Sequence, residues 1–166
     1  YMDPGLAFGS GRHATTELCL QWLAENELRS KKIMDYGCGS GILGIAASAM
    51  GASSTCLDYD DQALVATSQN AEFNDLTSSN LVVEHSSKFD FELHKQCFDV
   101  VVANILARPL MDLAEQLRSL MAKEGTLILS GILEDQIDIV QASYSGLNFR
   151  EPLIRDGWVR LEAIEK

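Results

Sequence analysis

Three short stretches of this 166-residue chain carry side chains suited to handling a ligand. The first is Asp35-Tyr36-Gly37-Cys38-Gly39-Ser40-Gly41, a carboxylate followed by three alternate glycines. Glycines at this spacing let the backbone turn sharply and let a ligand approach where a Cβ would otherwise stand. The second is Asp58-Tyr59-Asp60, which places a carboxylate where a ribose diol can be held. The third is Ala103-Asn104-Ile105-Leu106, in which a polar amide emerges from the apolar run Val100-Val101-Val102. Near the N-terminus, Thr16 offers a hydroxyl that either reaches a ligand or caps backbone N–H groups. His13 offers an imidazole that either relays a proton or caps.

The elements needed to bring these stretches together can be read from periodicity. Leu18, Trp22 and Leu23 recur at helical spacing within about Ala14 to Glu27, after a Gly-rich opening from Gly5 to Gly11. Strands are expected over Ile33 to Tyr36, Thr55 to Tyr59, Asn80 to Glu84, Phe98 to Ala103 and Thr126 to Leu129. Helices are expected over Ile42 to Met50 and Asp61 to Asn74, and from Pro109 along the stripe Leu110, Leu113, Leu117 and Met121, with Gly125 as the stop. A further helix, Leu133 to Tyr144, ends at Gly146 and leads to two last strands, Asn148 to Ile154 and Trp158 to Ile164. In the latter, Val159, Leu161 and Ala163 alternate with Arg160 and Glu162, as in an antiparallel strand with one wetter face. Alternating strands and helices predict a doubly wound, Rossmann-like α/β sheet, mostly parallel, which binds ligands beyond the carboxyl ends of its strands.

Composition limits the partners. With 24 Asp+Glu against 13 Lys+Arg, the net charge is −11, which argues against direct nucleic-acid binding. The longest apolar candidate, Ile42 to Ala52, is too short and too interrupted for a membrane span. The cysteines, Cys19, Cys38, Cys56 and Cys97, form no C-x-x-C pair and no zinc spacing with His13, His85 or His94. No metal site is therefore expected, and the cysteines read as small core residues of a reduced, intracellular protein.

Charge also discriminates between cofactors. Gly39, Gly41 and Gly44 satisfy the dinucleotide pattern G-x-G-x-x-G. A pyrophosphate, however, needs N–H groups with no anion close by, and Asp35 stands two residues before Gly37, the first glycine of the turn. That acid suits a cofactor that is cationic near the turn, as S-adenosylmethionine is through its ammonium and sulfonium groups. Asp35 and Asp58 would then engage the methionine and ribose parts of one ligand, against the plainer reading that both cap turns.

At this point the residues resemble a known family. Asp35 to Gly41 is similar to the first motif of class I S-adenosylmethionine-dependent methyltransferases, and Asp58 to their ribose-binding acid. More narrowly, Asp3 to Thr16, Gly37 to Ala47, Asp58 to Asn74, Val101 to Ala107 with the following Pro109-Leu110, and Ser130-Gly131-Ile132-Leu133 resemble the catalytic domain of the PrmA family, which methylates ribosomal large-subunit protein eleven. The resemblance spans essentially the whole chain. It implies a seven-stranded sheet whose last strand is antiparallel, and cofactor contacts at Thr16, Gly37, Asp58 and Asn104. It also implies cytoplasmic methyl transfer to lysine and N-terminal amines of the ribosomal protein. Two departures stand in the opening segment: Ala14 replaces a proline, and Ser10 and Arg12 replace threonines. The family's catalytic domain follows a smaller N-terminal recognition domain. The start at Tyr1 fits one catalytic domain over 1–166 that binds cofactor but methylates its ribosomal substrate poorly alone.

The candidate site is accordingly Thr16, Asp35, Gly37, Gly39, Gly41, Asp58 and Asn104 for the cofactor, with Asn104 and His13 for the reaction. Asn104 followed by Ile105 and Leu106, rather than by Pro-Pro-aromatic, favours an amine over an amide acceptor. A nicotinamide oxidoreductase and a non-catalytic S-adenosylmethionine-binding domain are the competing readings.

Overall fold

In the computed structural model, which describes residues 13–166, the chain order is that of a doubly wound sheet. Strands β1 (Lys32–Tyr36), β2 (Ser53–Asp58), β3 (Leu81–His85), β4 (Phe98–Asn104) and β5 (Met121–Leu133) run parallel in the order β3-β2-β1-β4-β5. Beyond β5 lie β6 (Leu147–Phe149), β7 (Leu153–Arg155) and β8 (Trp158–Glu165), with β8 pairing antiparallel to β5, β6 and β7. The chain moves outward from β1 to β3 and returns to β4 on the other side of β1. The switch point therefore falls between β1 and β4, where Gly37 and Asn104 emerge.

Continuous apolar strands explain the two-sided core. Val100, Val101 and Val102 of β4 are all buried, with alternate residues facing opposite layers. Val100, Val102, Ile33 and Ile128 pack against α1 (Ala14–Glu25) and α2 (Ile42–Ala49), and α3 (Asp61–Phe73) continues that layer. Met34, Val101, Leu127 and Leu129 pack against α4 (Ala107–Asp112), α5 (Ala114–Leu120) and α6 (Ile137–Ser143). Cys19, Cys38 and Cys56 are buried free thiols, and burial pushes Cys19 up to about 12. No helix among the described residues is long and apolar enough to cross a membrane.

Four features differ from the sequence expectation. The long helix after Asn104 is broken at Leu113, where ψ is 7°, although Leu110 and Leu117 of its stripe remain fully buried. The helix stops at Leu120 rather than at Gly125, because Met121 pairs with Phe98 and starts β5 early. Gly125 lies in that strand instead, where a Cβ would meet the Phe98 and Ala122 carbonyl oxygens at 2.9 Å. The expected strand from Asn148 to Ile154 is two strands, making the sheet eight-stranded rather than seven. Pro152 lies in the interruption and brings no N–H to a ladder. The helix expected from Leu133 begins with a 3₁₀ turn, Glu134–Gln136, before α6. The Gly-rich opening, Ser10 and Arg12 lie outside the described residues.

Candidate cofactor-binding and active site

The turn after β1 is built by glycine conformations that other residues adopt at a cost. Gly37, Gly39 and Gly41 have φ of 73°, 56° and 79°. The Gly37 and Cys38 N–H groups donate to the Leu57 carbonyl of β2 at 2.8 and 3.0 Å, and Gly41 N–H donates to the Cys38 carbonyl at 2.8 Å. A Cβ on Gly37 would come within 2.5 Å of Ile105 Cγ2, so the ends of β1 and β4 nearly touch at the switch point.

Two residues that the sequence did not single out hold this turn from α3. Thr67 donates its hydroxyl to the Gly39 carbonyl at 3.0 Å, and Asn70 donates to the Ser40 carbonyl at 3.0 Å. Both are buried along with Ala63 and Ala71. The available signal was their spacing: polar residues at i+4 and i+7 from Ala63 fall on what should be an apolar stripe. Such positions persist where a buried backbone group needs a partner.

Asp58, at the end of β2, lies against the same turn. Its Oδ2 accepts from Gly39 N–H and its Oδ1 from Asp60 N–H, both at 3.0 Å. Asp35 is placed differently from the sequence expectation. Its side chain lies beneath α2 with 1% exposure, and Oδ2 accepts from Gly44 N–H at 2.9 Å. It therefore braces the turn and α2 instead of presenting a carboxylate to a ligand. Gly44 permits this, since a Cβ there would collide with Cys56 Sγ and stand 3.3 Å from Asp35 Oδ2.

Burial raises the Asp35 carboxyl to about 7; the Gly44 N–H opposes that rise and the Asp58 charge adds to it. The folded state thus holds this proton more tightly than the unfolded chain. The contribution of Asp35 to stability is therefore full below about pH 4, falls as pH rises through 7, and then levels off. Asp35→Asn keeps an oxygen for Gly44 N–H and removes the titration. Its stability relative to the native chain should rise by up to about 4 kcal/mol between pH 4 and pH 8, the equivalent of a three-unit shift. Urea unfolding of both proteins across that range measures the difference, and parallel curves would contradict the assignment.

The third part of the site joins residues distant in sequence. Asn104 Nδ2 donates to Thr16 Oγ1 at 3.3 Å, linking the end of β4 to the first turn of α1. Helix α1 is held in place by the C-terminal strands. Arg155 reaches Glu17 at 2.9 Å and Gln21 at 3.1 Å, and the buried Arg160 donates to the Leu18 carbonyl at 3.0 Å. His13 takes a structural part rather than the proton relay considered from sequence. Its Nδ1 accepts from Thr15 N–H as the N-cap of α1, and its ring meets Trp158 edge-on with centroids 4.8 Å apart. The structure thus brings Thr16, Gly37, Gly39, Gly41, Asp58 and Asn104 to one end of the sheet, with Asp35 buried beneath them. Neither Asp35 nor Asp58 forms an ion pair among the described residues. No group of His, Cys, Asp and Glu among those residues is arranged to hold a metal.

A parallel sheet reversed at β1, extended beyond β5 by the antiparallel β8, with a glycine turn after β1 and an acid at the end of β2, is the class I methyltransferase fold. The model of the ribosomal protein L11 methyltransferase (PrmA) family matches residues 1–166, and the chain belongs to that family. A ribosomal protein L11 methyltransferase from Methylococcus capsulatus is 46% identical over 168 residues, covering 99% of this chain and 56% of the relative. Another, from Acinetobacter baumannii, is 49% identical over 145 residues, covering 87% and 48%. The crystal structure of a ribosomal protein L11 methylase from Lactobacillus delbrueckii subsp. bulgaricus superposes with a TM-score of 0.85 at 32% identity. That match covers 99% of this chain and 84% of the other. The chain spans about half the length of the curated relatives it matches.

Proposed function

We propose that this chain is the catalytic domain of an S-adenosylmethionine-dependent protein methyltransferase acting on lysine or N-terminal amines of ribosomal protein L11. The observation that carries the reading is the meeting of Asp58, the Gly37–Gly41 turn and the Thr16–Asn104 pair at the switch point of the sheet. These residues fit the cofactor. Asp58 is a ribose acceptor, and Gly37 and Gly39 keep side chains out of the path of the ligand. Thr16 and Asn104 supply polar contacts for its amino-acid end. S-adenosylmethionine supplies a methyl group on a sulfonium that is already activated for in-line displacement by an amine.

The protein's task is then alignment and desolvation of the amine. Because Asn104 gives its NH₂ group to Thr16, its Oδ1 is left to accept an N–H from the incoming amine or from the cofactor's ammonium. That bond would direct the nitrogen lone pair toward the methyl group. Acceptor recognition draws on a further domain of the kind the family resemblance implies, and a ribosomal substrate places the reaction in the cytoplasm.

Asn104→Ala tests the role of the amide. Methyl transfer to the L11 protein should fall by about 100-fold or more, the scale for losing a group that orients the reacting atoms. S-adenosylhomocysteine affinity should fall by about tenfold or less, as for one neutral hydrogen bond. Labelled-methyl transfer and calorimetry measure the two losses, and equal losses would assign Asn104 to cofactor binding alone.

A further inference from the structure

His85, the last residue of β3, stands beside Asp58 in the β2–β3 register. Neither composition nor motif had singled it out. Its imidazole bridges two segments at the ligand end of the sheet. Nε2 lies 2.8 Å from the Tyr59 carbonyl oxygen, and Nδ1 accepts from Ser87 N–H at 3.1 Å, with Ser87 Oγ 2.7 Å away. A carbonyl oxygen can only accept, and a backbone N–H can only donate. The contacts therefore select the neutral tautomer with its proton on Nε2.

The Tyr59 carbonyl and the Asp60 N–H belong to the same peptide unit. Its oxygen accepts from His85 Nε2, and its N–H donates to Asp58 Oδ1 at 3.0 Å. The chain of bonds thus runs from imidazole to peptide to carboxylate, and each bond polarises the next. The Tyr59 side chain is 81% exposed, so its packing does not fix the plane of that peptide. Ser86 N–H donates to the Asp58 carbonyl at 2.8 Å, so the turn after β3 and the end of β2 are joined on both sides of the imidazole.

We propose that His85 is a positioning residue for Asp58: by holding the Tyr59–Asp60 peptide, it aims the Asp58 carboxylate at the ribose hydroxyls of the cofactor. The inference rests on the methyltransferase reading and adds to it a residue that sets discrimination for the ribose. His85 does not itself touch the ligand. Its signature is therefore a change in how strongly a ribose hydroxyl is felt, rather than a change in the chemical step.

The test is calorimetric titration of S-adenosylhomocysteine and its 2′-deoxy analogue into the native chain and into His85→Ala, His85→Asn and His85→Gln. The native chain should prefer the ribose form by about tenfold or more, as a charge-assisted hydrogen bond provides. In His85→Ala and His85→Asn, neither of which can reach the Tyr59 carbonyl, the preference should shrink to about threefold or less. His85→Gln places an N–H near the Nε2 position and should restore most of it. The preference is a ratio within one protein, so a partly unfolded fraction does not alter it. If alanine at 85 prevents folding, the Asn and Gln variants carry the comparison.

An unchanged ratio in both Ala and Asn variants, or in Asn when Ala does not fold, would overturn the role of His85 and leave the methyltransferase reading intact. A Gln variant no better than Asn would overturn it also. A native chain that binds both ligands equally would remove the ribose role of Asp58 together with that of His85. A native chain that binds neither ligand would overturn the methyltransferase reading itself, and this inference with it.

Discussion

Replacing Asp58 with alanine should weaken S-adenosylhomocysteine binding by about 100- to 1000-fold, the loss expected for two charge-assisted hydrogen bonds to a ribose diol. The carboxylate is bound to Gly39 N–H on one oxygen and Asp60 N–H on the other. Its removal therefore takes away the ligand's acceptor and leaves two backbone donors of the site without a partner. Asp58→Asn keeps the shape and one acceptor oxygen while removing the charge, so its loss should be smaller, about tenfold to 30-fold. Calorimetry separates the three proteins. Equal affinity of the native chain and Asp58→Ala would move the ligand away from the end of β2.

The second large effect is structural. In Gly131→Ala, a Cβ would collide with the Ile105 carbonyl oxygen and lie 2.7 Å from its carbonyl carbon, at a φ of 86°. Both partners are backbone, so no rotamer change relieves the contact. Gly131 occupies the register shift between Ser130 and Ile132, and Ser130 pairs with Asn104. The segment that must give way is therefore the one carrying the Asn104 amide. A cost of about 3–5 kcal/mol is expected, lowering the melting temperature by roughly 10 °C. Methyl transfer should fall even where the variant stays folded, because Asn104 is displaced. Gly157→Ala is the control: its φ is 77°, yet nothing lies within 4 Å of the added Cβ. It should cost about 1 kcal/mol, the backbone term alone. Thermal unfolding of the pair distinguishes crowding from conformation, and equal losses would contradict the crowding at Ile105.

The layered fold was legible because Val100-Val101-Val102 and its neighbours are apolar without alternation, whereas Trp158 to Ile164 alternates. Boundaries were less legible where tertiary pairing overrides local pattern. Met121 continues a helical stripe in sequence, yet it starts a strand because Phe98 lies beside it. The split between β6 and β7 falls at Pro152, a signal obscured in sequence by the β-formers on either side of it. Residue type marked Asp58, the glycines and Asn104 as candidates, since each stands at a strand end, and the fold brings them together. Residue type could not show which way the Asp35 side chain points. Asp35 precedes the turn just as a ligand-facing acid would, but strand alternation sends it under α2. Thr67, Asn70 and His85 act through backbone groups distant in sequence, so only the folded arrangement reveals them.

Methyl transfer to a protein amine at the switch point would leave labelled methyl groups on its acceptor. Intact-mass and peptide mass spectrometry of the L11 protein, after incubation with isotopically labelled S-adenosylmethionine and this chain in molar excess, tests it directly. The reading predicts labelled methyl groups on lysine or N-terminal amines, fewer with Asn104→Ala and fewer still with Asp58→Ala. Saturated cofactor binding with no labelled amine at any ratio, whether or not a recognition domain is supplied, would contradict it.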